Sequence, residues 1–240
     1  MNRSLFPELL ADTEITFDEG EFSYQWPGEL SATDQLKALA RASGFNAEWR
    51  APIMVVENAT IRGRWSFPTA GNLTAGQARA VVDTLGKGVQ ALRAELGDPA
   101  TEFSLDWEAD APAVTYGRIE DWFAQRGVPE LPQDETTGAL NLSMDGTPID
   151  IHVGEVLSVQ VSAQIPDADP ASVLHYCNHL NKSNSSAICG VRSGEQWWAI
   201  ARYSVEARAG LDDAQLDEAI RTGVVTASTK VRDLLRLHRG

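Results

Sequence analysis

The chain has 240 residues, with 34 acidic against 20 basic side chains and a formal net charge of −14. That length can hold one large domain or two small ones, and a field of that sign disfavours direct binding to nucleic acid or anionic lipid. The deficit belongs to both halves, since residues 1–120 carry 18 acidic and 10 basic residues, so no acidic tail explains it.

The first residues, Met1 to Glu8, lack a long apolar core and turn acidic at once, so no secretory signal is expected. No run approaches the ~20 apolar residues of a membrane span. Cys177 and Cys189 are too few for a disulfide framework and lack zinc-type spacing. The expectation is a reduced, soluble, cytoplasmic protein.

In chain order, residues 4–11 read as a short helical turn, and strands follow at 14–17 and 21–26. In the second, Phe22, Tyr24 and Trp26 alternate with polar residues, the period of a half-buried strand. A helix over 31–43 opens near Ser31 or Thr33 and closes at Gly44. Strands are expected at 46–50, 53–57 and 60–67. Thr74 then opens a long helix to Leu96, with Gln77 at capping-box spacing. Residues 97–115 form the linker, and the alternation of Phe103, Leu105 and Trp107 gives it a strand of its own. Beyond it come a helix over 116–126 and strands 139–144, 148–153 and 156–165, the first two joined by the hairpin pair Asp145-Gly146. Asp169 and Pro170 start a helix to Asn181. Strands 186–192 and 196–205 lead to a final helix over 212–236, whose end carries Arg232, Arg236, His238 and Arg239 where the helix dipole favours cations.

A shift near 135–138 residues lays one half on the other. Arg64-Trp65-Ser66-Phe67 falls on Arg202-Tyr203-Ser204-Val205, and Leu73-Thr74 with Gln77 falls on Leu211-Asp212 with Gln215. Gly86 and Gly223 occupy corresponding places in the helices that follow, which suggests close packing there, of one terminal helix on the other. The fold class expected is α+β: two related units, each an antiparallel sheet with helices on one face, arranged as an intramolecular pseudo-dimer. The units are residues 1–97 and 116–240, with 98–115 between them.

Within the second unit, three stretches carry a family resemblance: Leu180-Asn181-Lys182-Ser183-Asn184, the strand pair through Val191, Gly194, Gln196 and Trp197, and the helix entry Gly210-Leu211-Asp212 with Gln215-Leu216. Residues 116–236 resemble the YbjN domain, a bacterial family whose fold is similar to type III secretion chaperones. The resemblance implies a non-enzymatic, chaperone-like or regulatory binding module, and it brings no active-site residues. The first half looks like a degenerate copy, with Ala42-Ser43-Gly44-Phe45-Asn46 where the second has its asparagine cluster.

His175 and His179 lie at i and i+4 on one helix face, the spacing of half a metal site, but no glutamate or second ligand pair completes it. They read as surface histidines, and Cys189 as a buried structural thiol. Residues 71–76 lack the lysine and spacing of a phosphate loop, so no cofactor is expected. Asn178, Asn181 and Asn184 read first as a helix end and turn, and second as a polar patch where a partner docks. Trp197 and Trp198 are the other candidates, since neighbours in a strand face opposite ways. Trp49 and Trp65 divide in the same manner between core and surface.

The function expected is a protein-binding module that holds an apolar or amphipathic segment, with acidity favouring a basic partner. It would act as a monomer with pseudo-twofold symmetry or as a weak dimer. The alternatives are a metal- or small-molecule-dependent enzyme using His175 and His179, and a purely structural component of a larger assembly.

Overall fold

The computed structural model describes every residue except 1–5, 12, 19–20, 32–33, 49–51, 69–71, 98–101, 129, 145, 184–185 and 240. The first half runs α1 (Phe6–Leu10), β1 (Ile15–Asp18), β2 (Glu21–Gln25), α2 (Gln35–Glu48), β3 (Ile53–Glu57), β4 (Thr60–Ser66) and α3 (Ala75–Glu95). The second runs α4 (Tyr116–Ala124), β5 (Leu140–Met144), β6 (Thr147–Val153), β7 (Val156–Ile165), α5 (Pro170–Asn181), β8 (Ala187–Ser193), β9 (Gln196–Glu206) and α6 (Asp213–Arg239). Two antiparallel sheets result, ordered β1-β2-β4-β3 and β5-β6-β7-β9-β8, and the architecture is α+β.

Local sequence accounts for most of these elements. Phe22 and Tyr24 on β2 are buried and pair with Trp65 and Gly63 of β4, the half-buried alternation of a strand. Thr74 accepts from the Gln77 amide while Gln77 returns the bond to Thr74, a complete capping box on α3. Asp169 caps α5, with Pro170 in its first turn. Met144 pairs with Thr147 across the two-residue hairpin that Asp145-Gly146 predicts, Gly146 taking φ +77; Asp145 itself lies outside the described residues.

Three expectations are corrected. Helix α2 does not stop at Gly44 but continues to Glu48, so residues 46–48 of the expected 46–50 strand are helical. Phe45 and Asn46, both buried, extend the apolar face past the glycine, and that burial outweighs its poor propensity. The linker strand is absent: residues 102–110 pair with no sheet. They run back along α3, where Phe103 fills the space beside Gly86, the Leu105 amide donates to Asp83 at 3.1 Å and Asp110 accepts from the Gly76 amide at 2.9 Å. A strap that buries every second residue has the same period as a strand. Finally, Gly86 and Gly223 do not bring the terminal helices together. Gly86 faces Phe103, whereas a Cβ on Gly223 would lie 2.7 Å from Val159 Cγ2, so α6 sits directly on β7 and β9.

The halves meet through reciprocal bonds. Asn46 accepts from the Met54 amide at 2.7 Å and donates to the Met54 carbonyl at 2.9 Å; Asn181 treats Ile188 the same way, at 2.7 and 2.8 Å. Across the junction Arg64 donates to the Asn181 and Lys182 carbonyls, and Arg202 donates to that of Ala47 at 3.2 Å. Asn178 brackets Val56, while Ser43 donates to the Gly190 carbonyl at 3.4 Å. Gln77 and Gln215 donate to each other's side chains at 2.7 and 3.1 Å. Each buried asparagine ties a helix end to its edge strand, so Asn46→Ala and Asn181→Ala leave two buried backbone groups unpaired. Each is expected to lower unfolding free energy by about 2–4 kcal/mol, to a similar extent, in urea titrations.

Candidate functional site

The structure distributes the candidate residues over several tasks. Asn181 is 2% exposed and its amide is occupied by Ile188. Asn178 is half-buried and its amide brackets Val56 of the opposite half. Asn184 lies outside the described residues, as does Trp49. Trp197 packs beside Gly190 and Val173 on the α5 side of the sheet, in a cleft with Ile165, Pro166 and Pro170. Trp198 follows it on the opposite face and keeps part of its surface open. Trp65 is buried and donates its indole N–H to the Ser204 carbonyl at 2.9 Å. His175 and His179 are exposed on α5, and among the described residues no group of three or more His, Cys, Asp or Glu could hold a metal ion. Burial raises the thiols of Cys177 and Cys189, the latter to about 11, which keeps both protonated and poor nucleophiles.

Two buried polar clusters were not visible in the sequence. In the first, Arg208 donates to Glu206 at 2.9 Å, to Thr84 at 2.5 Å and meets Asp83 at 3.2 Å, with its guanidinium 4.9 Å from the Trp107 ring centroid. Asp83 and Glu206 are 0% and 1% exposed. Burial pushes the Asp83 carboxyl up, but Lys87, the Leu105 amide and Arg208 outweigh it and hold the pKa below the ordinary value. In the second cluster, Lys230 on α6 is 1% exposed and donates to the Ser186 carbonyl, with Asn181 Oδ1 at 3.4 Å. Desolvation, with Arg64 nearby, pulls its pKa down to about 7. Both clusters bind elements of the fold together, and Asp83, Glu206 and Lys230 are buried, so they are scaffold.

Open surfaces remain. Between α4 and α6 a cleft is lined by Arg118, Trp122, Arg126, Asp213, Asp217 and Arg221. Its arginines are already engaged: Arg126 stacks on Trp122 at 3.8 Å and meets Asp217 at 2.6 Å, Arg221 meets Asp217 at 2.8 Å, and Arg118 meets Asp213 at 2.8 Å. A different groove of ≈ 410 Å³ runs between the C-terminal half of α6 and the tip of the β5–β6 hairpin. Met144, Thr147 and Ala163 come from the sheet, and Ser228, Val231, Arg232, Leu235 and Arg236 from one face of the helix. Met144 is 41% exposed although it stands beside this apolar wall.

A family model described as "Putative bacterial sensory transduction regulator", YbjN, matches residues 115–235. The chain belongs to the YbjN family. The match runs from the cap of α4 into the last turns of α6, and includes every groove residue except Arg236. The solved structure described as "Crystal structure of YbjN, a putative transcription regulator from E. coli" is similar at 16% identity and a TM-score of 0.42, covering 53% of this chain and 93% of that one. A search of curated proteins finds no match. Among the described residues no helix is long and apolar enough to cross a membrane.

In the sequence Arg232 and Arg236 stand out only as cations at a helix end, and the groove has no contiguous signature. The available signal was the i, i+3, i+4, i+7, i+8 spacing of Ser228, Val231, Arg232, Leu235 and Arg236, which sets a basic edge along an apolar stripe.

Proposed function

We propose that this YbjN-family protein is a non-enzymatic regulatory module that holds a segment of a partner protein. The observation that carries this reading is the open groove beside α6, with Met144, Ala163, Val231 and Leu235 in its wall and built from elements of the matched family span. We further propose that the chain is a tandem of one unit: a degenerate copy over 1–97, a linker over 98–115 and a complete copy over 116–240. What supports the tandem is the common strand order, β1-β2-β4-β3 beside β6-β7-β9-β8, and the matched roles of Asn46 and Asn181, Arg64 and Arg202, and Gln77 and Gln215. In this reading the first copy packs against the second as a subunit packs in a dimer, leaving α6 of the second free to serve a ligand.

The test is affinity capture from the native cell extract with the wild-type chain and with Ala163→Trp, which fills the groove from its half-buried floor. The expected result is a stoichiometric protein retained by the wild type and lost from the variant, with circular dichroism and melting unchanged. Equal capture by both proteins, or none by either, would overturn the reading.

A further inference from the structure

We infer that the α6 groove takes a short amphipathic peptide segment carrying carboxylates along one edge, an inference that rests on the binding-module reading above. The lining supplies both halves of that specification. Met144, Ala163, Val231 and Leu235 offer apolar contact to one face of a segment, and the charged side chains in the lining, Arg232 and Arg236, are both cationic. This is the reverse of the chain as a whole, which carries −14.

The two arginines are weakly engaged within the protein. Arg236 meets Asp233 at 3.8 Å with 73% of its side chain exposed, and exposed Arg232 reaches Thr229 at 3.3 Å. Arg126 and Arg208, by comparison, are held to carboxylates at 2.6 and 2.9 Å. A guanidinium with free N–H donors binds a carboxylate through two parallel bonds, whereas an engaged one must first give up its partner.

The acidic surface elsewhere limits what can approach. At physiological ionic strength, charges beyond about 8 Å are largely screened. A short segment seated in the groove therefore responds first to Arg232 and Arg236, while an extended polyanion would also meet the acidic remainder of the surface. The groove is thus selective for an acidic amphipathic peptide over a nucleic acid or an anionic bilayer.

The probe is a display library of random dodecapeptides, selected on the full-length wild type and on R232E/R236E, whose substituted side chains lie at the surface. The wild type is expected to enrich sequences in which Asp or Glu alternates with apolar residues at helical or strand spacing. A synthetic peptide of the enriched type should lose at least about tenfold in affinity on R232E/R236E by fluorescence anisotropy. Its lysine-for-glutamate counterpart should prefer the double variant. Enrichment of basic or neutral sequences, failure to select any binder, or an affinity indifferent to R232E/R236E overturns the inference. If capture of a native protein still depends on Ala163 while this selection fails, the occupant's chemistry is wrong and the binding-module reading stands. If capture is also independent of Ala163, that reading falls as well.

Discussion

Arg208→Ala is expected to lower the unfolding free energy by about 3–5 kcal/mol at neutral pH, the largest loss from any single truncation considered. The reason is what it leaves behind. Asp83 and Glu206 are 0% and 1% exposed, and Arg208 is the cation that bridges α3 to the end of β9. Burial opposes the Arg208 cation, but its bonds to Glu206 and Asp83 prevail and hold its pKa above the ordinary value. Without it, Glu206 keeps the Thr84 hydroxyl and the backbone amide of residue 208, and Asp83 keeps Lys87 and the Leu105 amide, which together do not offset desolvation of two carboxylates. The pH dependence gives a second sign. In the variant Asp83 loses one of the partners that offset its burial and its carboxyl shifts upward, so the folded state binds more protons than the unfolded one and stability recovers as pH falls towards 5. The gap between wild type and variant in urea titrations should therefore narrow between pH 7.5 and 5. Glu206→Gln in the Arg208→Ala background should restore part of the loss, because it removes one stranded charge.

Lys230 acts on the other side of neutrality. Its pKa in the folded protein is about 7, against an ordinary value of 10.5, and desolvation is the main cause. Between those values the unfolded chain holds a proton that the folded chain has released, so stability rises with pH through that window. The groups facing it are Arg64, which depresses the pKa further, and Cys177, which opposes that depression. Above pH 8.5 the thiols begin to ionise in the unfolded chain and reverse the trend, so the clean interval is pH 7 to 8.5. Across it the wild type is expected to gain about 2 kcal/mol, read from urea midpoints at constant ionic strength. Lys230→Met should remove that gain, because methionine fills the site without a titrating group. Equal slopes in the two proteins would show that the Lys230 amine remains protonated in the fold.

Much of the fold is legible locally because its signals are local. The Phe22–Tyr24 alternation, the Thr74–Gln77 capping box and the Asp169–Pro170 helix start each act within a few residues, and the strands and helices they predict are present. The YbjN resemblance of the second half is likewise carried by turn and cap residues, and the family match over 115–235 agrees with it. What failed depends on distant partners. Residues 103–107 alternate because they lie on α3, where Gly86 leaves room for Phe103, not because another strand adjoins them. Gly44 looks like a helix stop until Asn46, two residues on, is seen to bond Met54. That asparagine makes the same pair of backbone bonds in the first half that Asn181 makes in the second. The groove depends on the pairing of Met144 with Thr147 and on the seating of α6 over β7, which places Ser228, Val231 and Leu235 against residues far away in sequence. Net charge does not show this edge either, since the chain carries −14 while Arg232 and Arg236 line the groove.

The claim that this chain works by holding a partner in the α6 groove is tested most directly by site-specific photocrosslinking in the native cell. A photoreactive phenylalanine analogue at Met144, in the groove, is compared with one at Leu36, which is 49% exposed on α2 and remote from it. The account predicts a discrete protein adduct from position 144 that Ala163→Trp abolishes, and none of that mass from position 36. No adduct at 144, or the same adduct from both positions, would contradict it.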